Sequence, residues 1–75
     1  MEIKIEEIIN IFKTVFKKVI LIDLETKIED IPEWDSLGHL NLILEIEDRF
    51  DVSFTIDEIE NCKSVKDIIV FLNNK

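Results

Sequence analysis

The sequence predicts an all-α protein: a four-helix bundle with a long loop between the first and second helices and a short third helix. Three observations predict this fold. Apolar residues recur at helical spacing, no stretch alternates apolar and polar residues as a strand would, and two hydroxyl side chains stand three residues ahead of an acid, as helix caps do. The 75 residues are expected to form one domain, 1–75, near the lower size limit for a self-supporting core.

A first helix is predicted over about residues 2–20. Its apolar side chains follow helical spacing: Ile5, Ile8, Ile9, Phe12, Val15, Phe16 and Val19. Residues 21–35 contain Pro32 and show no sustained period, which indicates a structured loop. Its large apolar side chains are expected to pin the loop to the core: Leu24, Ile28, Ile31 and Trp34.

A second helix is predicted from Ser36 to about Asp51. One stripe of this helix is expected to face the core: His39, Leu42, Ile43, Ile46 and Phe50. The stretch "TIDE", Thr55–Glu58, has the spacing of a capping box and predicts the short third helix. The stretch "SVKD", Ser64–Asp67, gives a related signal for a fourth helix that ends near Leu72.

A second group of leucines lies on another side of the second helix. We call this group and the acids interleaved with it the leucine–acid face: Leu37, Leu40, Leu44, Glu47, Asp48 and Asp51. Packing of the helix against the core does not explain leucines among carboxylates on a side that the core cannot reach. The face is therefore predicted to bind protein partners, with apolar anchors and acidic guides. The alternative is that the loop of residues 21–35 covers Leu37 and Leu40.

The net charge of −8 is concentrated in the middle of the chain, because residues 21–62 carry thirteen acids against Lys27 and Arg49. Such a field repels nucleic acid and anionic membranes and attracts basic partner surfaces. Alternatively, the acids merely keep a small protein in solution.

Composition also limits the chemistry. One cysteine, Cys62, and one histidine, His39, provide neither an internal disulfide nor a four-ligand zinc site, so no metal site is expected. No apolar run is long enough to span a bilayer, and no secretory signal segment opens the chain. A cytoplasmic monomer is therefore expected.

Ser36 stands where the loop gives way to the second helix. Together with Asp35 and His39 it supplies the residue types of a hydrolytic triad. A hydrolase also needs an oxyanion hole and an enclosed pocket, whereas this chain has a single glycine and too few residues to enclose a substrate. We therefore expect no enzyme activity, and the role left for Ser36 is covalent attachment.

Several motifs resemble one known family over nearly the whole chain. "DSL", Asp35–Leu37, opens an acidic helix that ends in "EDRF" and "DV", and "IDEIEN" and "SVKDIIVFL" follow in order. In these features the chain resembles the acyl carrier proteins. The resemblance implies that the Ser36 hydroxyl, flanked by Asp35 and Leu37, is esterified by the 4'-phosphopantetheine arm of coenzyme A. A separate magnesium-dependent phosphopantetheinyl transferase catalyses that attachment in the family.

The resemblance further implies a carrier that catalyses nothing itself. Acyl or aminoacyl groups are held as thioesters on the thiol of the arm and presented to loading enzymes and downstream transferases or synthases. By this resemblance, five residues of the leucine–acid face match positions that partners touch in the family: Leu37, Leu40, Leu44, Glu47 and Asp48. The alternative from another class is an unmodified acidic adaptor that binds partner helices through Leu37, Leu40 and Leu44.

The chain departs from the commonest pattern of fatty-acid carriers. Many of these have an acid directly after "DSL", whereas Gly38 and His39 follow here, and Asn41 and Glu45 replace what is often an acid and a small residue. "WDSLGH" is more similar to specialised carriers, including those that act in secondary metabolism, saccharide modification or amino-acid loading. Larger side chains are expected to occupy space that fatty-acid carriers often leave for the acyl chain, or simply to fill the core: Phe54, Ile59 and Ile68.

Overall fold

The computed structural model describes residues 3–17 and 21–75. In these ranges it has four α-helices and one turn of 3-10 helix within the loop, Ile28–Asp30. The α-helices are α1 (Ile5–Phe16), α2 (Ser36–Phe50), α3 (Ile56–Asn61) and α4 (Val65–Asn73). The predicted four-helix fold, with its long loop and short third helix, is confirmed.

Helix α1 is shorter than predicted. It begins after Lys4, whose extended backbone N–H donates to the Glu7 carboxylate at 3.4 Å. It ends because Lys17 takes the left-handed conformation, with φ of 55°, and its N–H donates to the Lys13 carbonyl at 2.8 Å. The prediction of a helix over residues 2–20 is therefore wrong at both ends within the described residues, and Val19 lies outside them.

The loop between α1 and α2 is held to the core by three of the four apolar side chains that were expected to anchor it. Ile31 and Trp34 are buried, and Ile28 is partly buried against them, as predicted. Leu24 is 46% exposed, so its predicted anchoring role is wrong. It lies in a tight turn in which the Thr26 N–H donates to the Asp23 carbonyl at 3.1 Å.

The same loop is joined to the start of α4. The Ile28 N–H donates to the Lys63 carbonyl, and the Val65 N–H donates to the Thr26 carbonyl, both at 2.9 Å. These two bonds hold the loop beside Ser64 as an isolated antiparallel bridge. The loop is thus tied to the bundle at a point well before Ser36.

The core lies between the helices and the loop. Helix α2 contributes Leu42, Ile43 and Ile46, which are at most 1% exposed, as the predicted stripe requires. Phe50 packs against them while partly buried. The other buried apolar residues are Ile8, Ile11, Phe12, Ile31, Trp34, Phe54, Cys62, Val65, Ile68 and Leu72.

The two later helices begin at the predicted caps. The Thr55 hydroxyl accepts from the Glu58 N–H at 3.1 Å, and the Glu58 carboxylate accepts from the Thr55 N–H at 2.9 Å. The Ser64 hydroxyl accepts from the Asp67 N–H at 3.1 Å. The Thr55 amide, and after it the Lys75 ammonium, hold the pKa of the Glu58 carboxyl below its usual range.

None of the helices in the described ranges is long and apolar enough to cross a bilayer. Among the same residues, no group of three or more His, Cys, Asp or Glu side chains is placed to hold a metal ion.

Candidate functional site around Ser36

Ser36 is the first residue of α2 and is exposed to solvent. Asp35 caps the helix, because its Oδ1 accepts from the Gly38 N–H at 2.8 Å. Gly38 has no side chain to reach back to the Asp35 N–H, so the reciprocal half of a capping box is absent. The first amides of a helix have no acceptor within it and form the positive end of its dipole. A phosphate ester on Ser36 would therefore lie where an anion is favoured.

Gly38 allows α2 to begin very close to the loop. A Cβ atom at this position would lie 2.3 Å from the Glu33 carbonyl oxygen and 3.0 Å from Cε1 of Phe16. Any other residue would push the start of α2 away from the backbone at Glu33. This contact gives a physical reason why the acid common after "DSL" is missing here.

His39 joins three parts of the structure. The Trp34 indole N–H donates to His39 Nδ1 at 2.8 Å, and His39 Nε2 lies 2.8 Å from the Ile59 carbonyl oxygen. Since Nδ1 accepts, the proton must be on Nε2, which donates to Ile59. Both ring nitrogens are therefore engaged, and neither is available as a base for Ser36. The sequence places His39 near the core but contains no signal for these two partners.

The leucines of the leucine–acid face are exposed. Leu37 is 69%, Leu40 47% and Leu44 55% exposed. The loop of residues 21–35 does not cover Leu37 or Leu40, so that alternative is wrong. Asp48 and Asp51 are also exposed, and Asp51 closes α2 in the left-handed conformation with φ of 54°.

Glu47 differs from the other acids of this face. It is partly buried, and its Oε2 accepts from the Phe54 N–H at 2.8 Å. Glu47 therefore joins α2 to the segment that leads into α3, in addition to contributing charge.

Ile56, the first residue of α3, is 74% exposed, and the sequence analysis did not predict its exposure. Its place directly after the Thr55 cap was the available signal, because a first-turn residue often faces away from the core.

The three large side chains expected in the core lie within it or against it. Phe54 is 8% exposed, Ile68 is fully buried, and Ile59 packs against them while partly buried. Cys62 is 1% exposed, and burial, followed by the charges of Asp67 and Glu58, raises the pKa of its thiol to about 12. The Cys62 thiol therefore stays protonated at neutral pH and is not a nucleophile.

Comparison with known proteins gives a consistent result. Residues 6–72 match the family described as the phosphopantetheine attachment site. A curated acyl carrier protein from Thermosynechococcus vestitus is 42% identical over 41 residues, which are 55% of this chain and 51% of that protein. An acyl carrier protein from Exiguobacterium sibiricum is 30% identical over 54 residues, which are 72% of this chain and 68% of that protein.

A third relative, the acyl carrier protein of Kocuria rhizophila, is 28% identical over 53 residues, 71% of this chain and 65% of that protein. The chain thus spans about half to two thirds of the length of these curated relatives. Among solved structures, the solution NMR structure of holo acyl carrier protein from Geobacter metallireducens is 34% identical. It superimposes with a TM-score of 0.85 over 93% of this chain and 82% of that one.

Proposed function

This chain belongs to the phosphopantetheine-binding family of acyl carrier proteins, and from that membership we propose that it carries acyl or aminoacyl groups on a 4'-phosphopantetheine arm esterified to Ser36. The observation that carries the proposal is the position of Ser36. It is an exposed hydroxyl at the first residue of α2, inside the matched range 6–72.

The residues around Ser36 fit such a group. Ser36 Oγ would form the phosphodiester, and the first-turn amides of α2 would favour its negative charge. Asp35 keeps the helix start in place through its bond to the Gly38 N–H. When bound, the arm would supply a thiol that holds the cargo as a thioester, and the protein would catalyse no step itself.

The leucine–acid face is proposed to dock the enzymes that load and use the carrier. These are a phosphopantetheinyl transferase, a loading enzyme, and downstream transferases or synthases with basic docking surfaces. The exposed leucines would provide modest apolar anchors, and Asp48 and Asp51 would attract cationic side chains. Such a combination favours fast and reversible docking, which a carrier that visits several enzymes requires.

We expect attachment to depend on Ser36 alone. Incubation with coenzyme A, magnesium and a broad-specificity phosphopantetheinyl transferase should add the mass of one arm to the wild type and nothing to Ser36→Ala. Ser53→Ala is the matched control, since Ser53 is also exposed but lies outside the attachment motif. Intact-protein mass spectrometry measures the result. A wild type that several transferases leave unmodified, or equal modification of Ser36→Ala, would favour the unmodified adaptor instead.

A further inference from the structure

A groove lies between the end of α1 and the start of α2. Its volume is about 320 Å³, and its lining includes both chain neighbours of Ser36, Asp35 and Leu37. That volume is at the lower end of the range for sites that hold small organic groups. The leucine–acid face continues on α2 beyond this groove, so the groove and the face share only Leu37.

The lining combines apolar and polar side chains. Val15, Phe16 and Leu37 supply the apolar part, and the Asn41 side-chain amide can both donate and accept a hydrogen bond. Asp35 uses Oδ1 for the Gly38 N–H, and its other oxygen is a further acceptor for an N–H or O–H group. These groups match a neutral chain that carries methyl, hydroxyl and amide groups. The carboxylates of Glu33 and Asp35 disfavour an anion inside the groove, whereas the first-turn amides of α2 favour one at Ser36.

The absence of a side chain at position 38 keeps this groove open. Gly38 is part of its lining, and a Cβ atom there would meet Phe16 at 3.0 Å. Leu37 is 69% exposed, so an occupant of the groove would remove apolar surface from water. The groove thus reaches the two chain neighbours of Ser36, is open to solvent and is partly apolar.

We propose that this groove seats the pantetheine part of the arm, with its methyl groups against Phe16, Val15 and Leu37 and its amides at Asn41 and Asp35. The inference rests on the proposed attachment at Ser36.

The test is an NMR measurement on the holo protein, after mass spectrometry has shown that the arm is attached. Isotope-filtered NOE spectra should connect the geminal methyl groups of the arm with the Phe16 ring and the Val15 methyl groups. Asn41→Phe, at an exposed lining position, should fill the groove and abolish these NOEs while still accepting the arm. Val70→Phe, on the 46% exposed Val70 of α4, is the matched control and should retain them.

NOEs from the arm to Ile56 or Ile59 of α3, or no NOEs from the arm to the protein, would overturn the inference. Equal NOE patterns in wild type and Asn41→Phe would also overturn it. The amide spectrum of each variant shows whether it is folded. Asn41→Leu, a smaller change, provides a second test and should weaken the same NOEs. A protein that accepts no arm would instead contradict the proposed attachment, so the two failures are distinguishable.

Discussion

Ile68→Ala is expected to lower the free energy of unfolding of the protein by about 2–5 kcal/mol, because it removes a fully buried side chain and leaves a cavity. In a domain of this size such a loss lowers Tm by roughly 10 °C or more. Val70→Ala is the matched control on the same helix, since Val70 is 46% exposed and should lose much less. Thermal or denaturant unfolding of the holo proteins measures both changes.

The same substitution tests whether the core is closed to cargo. Burial of each methylene would contribute about 0.8 kcal/mol, so an octanoyl chain that entered the core would stabilise the protein by several kcal/mol. Phe54 and Ile68 are buried in the core and Ile59 packs against it, which leaves little room for an acyl chain. Octanoyl on the wild-type arm should therefore leave Tm almost unchanged. Octanoyl on Ile68→Ala should recover part of the lost stability by filling the new cavity.

A large stabilisation of the wild type by octanoyl would contradict the filled core and would indicate an ordinary fatty-acid carrier. No response to octanoyl in either background would mean that the cavity collapses. Cargo preference would then be set by the partner enzymes alone.

Asp48→Lys is expected to slow association with the transferase and with downstream enzymes several-fold at low ionic strength, with little change in Tm. Asp48 is exposed on the leucine–acid face, and electrostatic steering acts on association rates. Raising salt should slow the wild type more than the variant, because exposed charges are screened over about 8–10 Å at ordinary ionic strength. Stopped-flow or surface-binding kinetics give the rates.

The choice of Asp48 follows from the structure. Glu47 accepts from the Phe54 N–H, so Glu47→Lys should both slow docking and destabilise the approach to α3. Glu25→Lys is the charge-matched control, because Glu25 is exposed in the loop and does not belong to the leucine–acid face. Equal slowing by Asp48→Lys and Glu25→Lys would show that net charge, and not this face, governs docking.

The helix starts were predictable where a local signal marks them. Thr55 and Ser64 make the capping bonds that their spacing to Glu58 and Asp67 predicts, and these bonds involve only near neighbours in sequence. The end of α1 had no such signal, because Lys17 adopts a left-handed conformation that glycine or asparagine usually provides. The periodic apolar pattern continues past Lys17 and therefore predicted too long a helix.

The candidate site was predictable where it depends on residues that are near one another in sequence. The position of Ser36 at the start of α2 and the exposure of Leu37, Leu40 and Leu44 follow from the motif and from helical periodicity along one helix. The close approach that requires glycine at position 38, and the contact of His39 with Ile59, depend on how separate elements pack. No sequence pattern specifies such contacts. The bond of Glu47 to the Phe54 N–H was missed because a carboxylate at a helix surface usually faces solvent.

Attachment at Ser36 is tested most directly on the protein purified from its native host. Tandem mass spectrometry of the peptide that contains Ser36 should show the phosphopantetheine arm on that residue, with any acyl or aminoacyl cargo still on the thiol. An unmodified Ser36 peptide from actively growing cells, or an arm on another residue, would contradict the carrier function proposed for this chain.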